Sequence, residues 1–214
     1  MDIYWHGHAC CRLRARDVSI VMDPCSPETG YAPGRVDAGI VTVSHSHPGH
    51  SHLEMINGRP RVVDGPGEYE IAGVVITGIQ TAHDAEGGKR LGRNTVYVVE
   101  LEDLVACHLG DIGHIPTDAQ VAQIGEVDVL FVPVGGGATL NGAQAAQVVS
   151  LLEPKIVVPI HFATPLAKTA AEGVDKFCRE MGVPVPEAVA RLTLGRAATP
   201  DDTRVVVLEP RRSG

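Results

Sequence analysis

The first half of the chain alternates short runs of β-branched and other apolar residues with turn residues. Each run is too short for a helix and is bounded by glycine, proline or polar residues, as in strands joined by tight turns. A polar stretch with three prolines, Pro24 to Arg35, predicts a long loop of the kind that often carries function. The predicted strands are Ile3–Trp5, Cys11–Ala15, Ser19–Met22, Gly39–Val43, Arg61–Val63, Tyr69–Ile71, Val74–Ile79, and a hairpin of Asn94–Leu101 and Leu104–His108 that turns at Glu102 and Asp103.

The second half alternates buried strands with amphipathic runs. Asn141, followed three residues later by Gln144, is a helix-start signature, and the run behind it stops at Pro154. Strands first and strand–helix alternation afterwards indicate a layered, mixed α/β domain in which helices cover sheet faces. The predicted helices are Thr117–Ile124, the run after Asn141, and Lys168–Met181; the predicted strands are Val127–Val134, Lys155–Ile160, Val189–Leu194 and Arg204–Leu208.

The composition is that of one globular domain, and we expect residues 1–214 to form a single domain. Hydrophobic residues make up 44 % of the chain, which is enough for a sizeable core. The 24 glycines and 15 prolines agree with a strand-rich protein that has many turns. The formal net charge of −8 argues against a passive nucleic-acid binder, which is normally basic.

The cysteines and the N-terminus predict the compartment. The five cysteines are odd in number and include no CxxC pair. The opening "MDIYWHGHAC" lacks the basic and apolar segments of a signal peptide. No apolar run approaches the roughly 18 residues of a membrane span. We therefore expect a reduced, cytoplasmic protein without disulfide bonds.

Three histidines directly after an apolar strand point to a metal site. His45, His47 and His50 follow "AGIVTV" at spacings of two and three residues. On an extended chain the first two can face the same way, because side chains alternate with a period of two. Past Pro48 and Gly49 the chain can turn, which brings His50 back toward the same point. Neutral imidazole suits Zn, Fe or Mn.

The stretch "SHSHPGH" resembles the H-x-H-x-D-H motif of the metallo-β-lactamase-fold hydrolases. Four further pieces match that family in order along the chain: "DIYWHGHACCRL" with "VMDP", then "TAHDAEGG", "CHLGDIGH" and "VPIHFAT". Each piece is weak alone, but five in order, each at the end of a predicted strand, are strong together. The opening is similar to that of a compact branch with ascorbate-phosphate lactonase-like hydrolases. The resemblance implies a four-layer αβ/βα sandwich with the site at one edge between the sheets.

The resemblance also implies the ligands of two metal ions. Two cations roughly 3.5–4 Å apart can share a hydroxide and clamp both the attacked centre and the leaving oxygen. The shared water then has a pKa near about 7 and is a nucleophile at neutral pH. The implied ligands are His45, His47 and His83 for the first ion, Asp111 as the bridge, and His50 and His161 for the second ion.

The match to the family breaks at one position of the histidine loop. The family motif has an aspartate directly before its last histidine, and this chain has Gly49 there. In the family that aspartate binds the second metal and helps to orient the water. The second ion would keep Asp111, His50 and His161 with water in the fourth position, at lower affinity because one negative charge is gone. Three outcomes stay open: two ions with one bound weakly, one ion at the first site, or a site without catalysis.

Several other residues near the matching pieces have weaker assignments. Asp84 and Asp23 are candidates to replace the missing carboxylate. His8 matches a histidine that lies near the pocket in the compact branch, and it is a candidate for substrate contact or for simple turn packing. His52 is expected to be solvated at a helix start. His108 sits at a strand end, where a hydrogen bond that supports a ligand is plausible.

Two further features have simpler explanations. The glycine-rich loop Val134 to Gly142 matches neither nucleotide-binding glycine motif, and we interpret it as a flexible or substrate-contacting loop. Cys107 lies in a predicted core strand, where cysteines are usually inert.

We expect a metal-dependent hydrolase in which a metal-bound hydroxide attacks a small anionic ester, lactone or phosphoester. One or two divalent ions would serve, Zn first and Mn or Fe as alternatives. The second hypothesis is a non-catalytic or regulatory metal-binding protein on the same fold, and the third is a nuclease. The expected partner is a small-molecule substrate rather than nucleic acid or a membrane, and the oligomeric state is left open.

Overall fold

The predicted strands assemble into β-sheets in the computed structural model of the protein, which describes residues 1–168 and 171–211. The strands are β1 (Asp2–Gly7), β2 (Cys10–Ala15), β3 (Val18–Met22), β4 (Val36–Asp37), β5 (Ile40–Thr42), β6 (Ile56–Asn57), β7 (Arg61–Val63), β8 (Gly67–Ile71), β9 (Val74–Ala82), β10 (Arg93–Leu101), β11 (Leu104–His108), β12 (Val129–Pro133), β13 (Ile156–Ile160), β14 (Leu192–Thr193) and β15 (Arg204–Val205). β-Branched residues make up most of β5, β9 and β13, because they pack well on a pleated surface.

Two large sheets and one small one result. The first large sheet has the order β14-β1-β2-β3-β5-β7 and the second has the order β15-β13-β12-β11-β10-β9-β8, while β4 and β6 pair separately. In both large sheets the pairing changes from antiparallel to parallel partway across, at β3–β5 and at β11–β12. The short strands β1, β2 and β3 are joined by tight connections, whereas the parallel pairs need longer crossovers.

The helices belong to the second half of the chain. They are α1 (Asp118–Ile124), α2 (Gly142–Leu152) and α3 (Val174–Glu180), and short 3₁₀ turns lie at Pro27–Thr29, Leu53–Met55 and Arg196–Ala198. Two of the three predicted helix starts are confirmed and form reciprocal capping boxes, Thr117 with Gln120 and Asn141 with Gln144. Helix α2 packs on β12 and on α3, and α1 packs on β9. The mixed α/β fold is therefore confirmed. No described helix is long and apolar enough to span a bilayer.

The predicted helix Lys168–Met181 is wrong at its N-terminal end. The helix begins at Val174, because the residues before it make other backbone bonds. The N–H of Glu172 donates to the Gly135 carbonyl at 2.8 Å, and the Glu172 carbonyl accepts from Ala163 at 2.8 Å. Thr169 and Ala170, also within the predicted helix, lie outside the described residues.

The two closing strands are shorter than predicted. Only Leu192–Thr193 and Arg204–Val205 pair as strands, and Val189 and Leu208 meet in a single isolated bridge. A 3₁₀ turn at Arg196–Ala198 lies between the two strands.

Tyr97 connects the two large sheets through the core. Its ring lies on β10 and is fully buried. Its hydroxyl donates to the carbonyl oxygens of Val43 at 3.0 Å and Val63 at 3.1 Å, at the ends of β5 and β7. The same strand end leads into the histidine loop, so this contact fixes the position of that loop relative to the second sheet.

We expect Tyr97→Phe to lower the free energy of unfolding by about 1–2 kcal/mol, because it removes the hydroxyl donor of the Val43 carbonyl in the core, whereas the Val63 carbonyl keeps the Val43 N–H at 2.9 Å. Chemical denaturation measures this loss. Tyr69→Phe is the matched control, since the half-buried Tyr69 hydroxyl makes a local bond to Gly65 at 3.1 Å, and a smaller loss is expected there. Equal losses in the two variants would contradict the bridging role of Tyr97.

Candidate metal centre

The loops that carry the predicted ligands meet at one edge of the sheets. Strand β5 leads into the histidine loop, β9 into His83, β11 into Asp111 and β13 into His161. The turn between β1 and β2 brings His8 to the same place. Because β11, β12 and β13 run parallel, their carboxyl ends lie on one side. Strand order therefore brings together residues that are far apart in the sequence.

The centre of the site is the buried carboxylate of Asp111. Its Oδ2 lies 3.0 Å from Nε2 of His50, 3.4 Å from Nε2 of His83 and 3.6 Å from Nε2 of His161. Nitrogen and oxygen ligands bound tetrahedrally to one Zn²⁺ at ~2.0–2.2 Å are about 3.3 Å apart. The observed separations match those of atoms that share a cation.

The chemistry of the donor set also fits a divalent ion. Asp111 Oδ1 is buried and has no hydrogen-bond partner in the described part of the chain. An unpaired buried carboxylate oxygen is costly unless a cation or a donor satisfies it. Imidazole and carboxylate together suit Zn, Mn or Fe.

The candidate ligands form three overlapping groups, within each of which the ligand atoms lie within 4.8 Å of one another. Asp111 belongs to two of these groups, which is the arrangement that a bridging residue requires. Among the described residues, His47 and His83 share no group, so the trio expected for the first ion is not assembled as one cluster. The groups are His8 with His50, Asp111 and His161; His45 with His83 and Asp111; and His45 with His47 and His50.

His47 is the most exposed of the predicted ligands. It lies at the outer end of the loop, and its Nδ1 accepts a hydrogen bond from the Gly49 N–H at 3.1 Å. Its ring centroid lies 5.9 Å from that of His45. This nitrogen therefore has a backbone partner, unlike the Nε2 atoms that surround Asp111.

Asp23 orients His50 from behind. It is completely buried, and its Oδ2 accepts from His50 Nδ1 at 2.8 Å and from the Ser44 hydroxyl at 2.6 Å. The backbone N–H of Ser44 donates to its Oδ1 at 2.7 Å. A carboxylate on the far nitrogen fixes the ring and aims Nε2 at the centre of the site. Asp23 is therefore a supporting residue rather than a substitute ligand.

Two buried carboxylates control the protonation of His50. Burial alone would lower the pKa of His50, but Asp111 and Asp23 outweigh it and raise the pKa to about 10. Burial likewise favours the neutral form of Asp111, yet His161 and His50 hold the pKa of Asp111 well below its usual range. The carboxylates are thus charged and need a nearby positive charge, which a proton or a metal ion supplies.

His8 occupies the space beside Gly49. A β-carbon at Gly49 would lie 2.9 Å from His8 Nε2 and 3.1 Å from His47 Nδ1. The same His8 Nε2 lies 3.1 Å from His50 Nε2, and its ring centroid lies 4.2 Å from that of His161. Burial, followed by the neighbouring His161 and His50, lowers the pKa of His8 to about 2, so its imidazole is neutral.

Comparison with known proteins assigns the chain to a family. A model of the β-lactamase superfamily domain matches residues 2–161. The solved structure of a predicted Zn-dependent hydrolase of the metallo-β-lactamase superfamily from Thermotoga maritima is 38 % identical, with a TM-score of 0.80 and 97 % of each chain covered. The chain belongs to the metallo-β-lactamase superfamily.

Other members of this superfamily are more distant. The UPF0173 protein of Pyrococcus abyssi is 29 % identical over 77 % of this chain and 84 % of its own length. The UPF0173 metal-dependent hydrolase of Methanopyrus kandleri is 25 % identical over 100 % of this chain and 99 % of its own. Igni18 of Ignicoccus hospitalis, a metallo hydrolase, is 18 % identical with a TM-score of 0.67 over 90 % of this chain and 98 % of its own, and shares the fold. The chain is thus a member of a superfamily of metal-dependent hydrolases.

Asn94 supports the loop of Asp111, and the sequence analysis did not identify it. It is fully buried at the start of β10, and its side-chain oxygen accepts from the Asp111 N–H at 3.0 Å. Its amide group donates to the Leu109 carbonyl at 2.9 Å and to the Thr81 hydroxyl at 2.8 Å. The bonds hold the loop that presents Asp111. The one signal for Asn94 in the sequence is a polar side chain at the start of a predicted strand.

The remaining histidines and Cys107 do not join the groups. His108 donates from Nε2 to the Ala9 carbonyl at 2.8 Å and accepts from the Gly110 N–H at 3.1 Å, which supports the Asp111 loop. His52 begins a 3₁₀ turn and is half-buried. Burial raises the pKa of the Cys107 thiol, which agrees with an inert core cysteine.

The glycine-rich loop is shaped by its contact with His161. A β-carbon at Gly135 would clash with the His161 carbonyl oxygen. His161 itself has a φ of +51°, a left-handed conformation that is unfavourable for a side chain with a β-carbon. The loop therefore allows a close backbone approach that holds His161 in a strained position, as is common at functional sites.

Asp84 organises the loop behind His83 and is not a ligand candidate. Its Oδ1 accepts from the N–H groups of Glu86 and Gly88, and its Oδ2 from those of Arg90 and Leu91, at 2.8 to 3.0 Å. Both oxygens are thus occupied. These four bonds, the one from Leu91 most of all, lower the pKa of Asp84 to about 2.

We expect Asp84→Asn to lower the Tm at neutral pH, and the difference from wild type to shrink as the pH falls. The pKa of the folded state lies below the ordinary value of 3.8, so the stabilisation is complete above about pH 5 and is lost between pH 4 and 2. Thermal denaturation at pH 7 and pH 3 measures it, with the exposed Glu86→Gln as control. Equal Tm differences at both pH values would contradict the assignment.

Proposed function

We propose that this protein is a metal-dependent hydrolase that cleaves a small anionic ester, lactone or phosphoester. The observation that carries the proposal is the convergence of four imidazoles, those of His45, His50, His83 and His161, on the buried Asp111 carboxylate. When bound, a divalent ion lowers the pKa of water toward neutrality and polarises the bond to be cleaved.

The chain's own residues would divide the work around Asp111. His45 and His83 form one group with its carboxylate, and His50 and His161 belong to another. Asp23 behind His50 would keep that ring aimed at the ion and preserve its neutral, binding form once the metal replaces the proton. Asn94 would hold the bridging carboxylate in place. Zn fits best, with Mn and Fe as alternatives.

The preference for an anionic substrate is supported by the loop that follows His83. Lys89 and Arg90 are exposed on this short loop and Arg93 is exposed at the start of β10, in a protein whose formal net charge is −8. Cationic side chains at the rim of a site raise the local concentration of anions. Five free, buried cysteines support the proposal that the protein works in the reducing cytoplasm.

A non-catalytic metal-binding protein is the second candidate, and Gly49 is the observation that favours it. The aspartate absent at this position helps to orient the water in the family motif, and a glycine has no side chain for that task. The nuclease hypothesis stays last, because the net charge is unfavourable for holding nucleic acid.

Removal of metal tests the centre itself. We expect dialysis against a chelator to lower the Tm of the Zn-loaded, untagged protein, because a ligand that binds only the folded state stabilises that state. At a free metal concentration 100 times Kd the loss corresponds to about 2.7 kcal/mol. Asp111→Asn should abolish most of this chelator effect, while His52→Ala should keep it. A Tm that is indifferent to chelation would contradict the metal centre.

Turnover tests the hydrolase. The metal-loaded wild type is assayed on a panel of lactones, phosphomonoesters and phosphodiesters, beside His83→Ala, Asp111→Asn and the His52→Ala control. We expect measurable turnover in wild type and control, and a kcat/KM at least about 100-fold lower in the other two, since even supporting residues of metal sites are worth 10–100-fold. A protein that binds metal but is inert across the panel would favour the non-catalytic candidate.

A further inference from the structure

We propose that His8 is itself a metal ligand and supplies the coordination that the family aspartate would give and Gly49 cannot. The proposal rests on the proposed metal centre and goes beyond it, because it moves one ligand from the histidine loop to the β1–β2 turn. The resulting set would be His8, His50, Asp111 and His161, with three imidazoles and one carboxylate.

The position of the His8 ring is the first argument. Its Nε2 lies 3.1 Å from His50 Nε2, and His50 Nε2 lies 3.0 Å from Asp111 Oδ2. The ligand atoms of all four residues lie within 4.8 Å of one another. The separations of 3.0 and 3.1 Å are close to the roughly 3.3 Å between neighbouring ligands around one tetrahedral ion. A residue that merely packed in a turn would not need to aim its nitrogen at this point.

The close packing of the His8 ring against Gly49 is the second argument. A β-carbon at Gly49 would be 2.9 Å from His8 Nε2 and 3.2 Å from His8 Cδ2. Real β-carbons are essentially never found closer than 3.0 Å to other atoms. The His8 ring therefore fills the volume into which a larger residue at position 49 would project. With glycine at position 49, that volume is left to the nitrogen of His8.

The rigidity of His8 is the third argument. Its carbonyl oxygen accepts from the Trp5 indole N–H at 2.9 Å and from the His161 backbone N–H at 3.0 Å. Its φ of +53° is a left-handed conformation that is costly outside glycine and persists only when the surroundings enforce it. Trp5 is in turn stacked on Phe162, with ring centroids 5.0 Å apart. The backbone of His8 is thus fixed in advance at the edge of the site, and a fixed backbone is what a preformed binding group needs.

The exchange of ligands changes the chemistry of the centre. An imidazole is neutral where an aspartate is negative, so the bound ion keeps one more unit of positive charge. Imidazole-rich sets suit Zn²⁺, whereas carboxylate-rich sets suit Mn²⁺ and Mg²⁺. This site should therefore discriminate in favour of Zn²⁺ and polarise an anionic substrate more strongly than a site with the aspartate.

A four-protein cycle tests the proposal: wild type, His8→Ala, Gly49→Asp and the double variant. The readouts are Zn²⁺ affinity by titration calorimetry, metal per chain after dialysis, and the visible absorption spectrum of the Co²⁺-loaded protein. We expect His8→Ala to lose at least 10-fold in affinity for one ion and to change the Co²⁺ spectrum. His52→Ala removes an imidazole from the histidine loop and should match wild type in every readout.

The other two proteins separate a ligand from a packing residue. Gly49→Asp alone should bind metal no better than wild type and should lower the Tm of the metal-free protein, because the new side chain meets the His8 ring. The double variant should recover metal binding relative to His8→Ala, with its preference shifted from Zn²⁺ toward Mn²⁺. In the double variant the aspartate occupies the space that the His8 ring leaves. If His8→Ala alone does not fold, the metal preference of the double variant tests the proposal.

Two outcomes would overturn the proposal. His8→Ala could keep the Zn²⁺ affinity, the stoichiometry and the Co²⁺ spectrum of wild type, or the double variant could show the metal preference of wild type. Either result would leave the proposed hydrolase function standing, because turnover could still depend on the other ligands. Conversely, loss of Zn²⁺ binding in His8→Ala, in a protein without turnover on any substrate, would support His8 as a ligand and contradict only the hydrolase.

Discussion

The structure depends on one buried arrangement of charges, in which His50 lies between the carboxylates of Asp23 and Asp111. Its two ring nitrogens lie 2.8 and 3.0 Å from them, and none of the three side chains has appreciable contact with solvent. Two buried negative charges are tolerated only when positive charge or hydrogen bonds balance them. The ends of β3, β5 and β11 must therefore meet here, which fixes the edge at which the two sheets present the site.

Residues with no metal-binding role keep that arrangement rigid. Asn94 and His108 hold the loop of Asp111, and Asp84 holds the loop behind His83. The backbones of His8, Asp23 and His161 are all left-handed, and the N–H of His161 is bonded to the carbonyl of His8. Strained conformations at three strand ends show that the fold stabilises the geometry of the site at some cost to itself.

Gly49 has a different meaning once its surroundings are known. In the sequence it removes a ligand and weakens one half of a two-metal site. In the structure its missing side chain makes room for the His8 ring, which brings a nitrogen to the same region. Neither Asp84 nor Asp23 replaces the lost carboxylate, since four backbone N–H groups occupy the first and His50 with Ser44 occupies the second.

The sequence alone predicted most of the strands, the two capped helices that begin after Thr117 and Asn141, and the superfamily. The resemblance to that superfamily also implied a ligand set of His45, His47, His50, His83, Asp111 and His161, and these residues all lie on loops that follow strands. These features follow from the local pattern of residues or from the order of the motifs along the chain. Tertiary structure alone decided the start of α3, the supporting part of Asn94, and the position of His8 beside Gly49. Each of these depends on contacts between segments distant in the chain, and only the packed fold brings such segments within bonding distance.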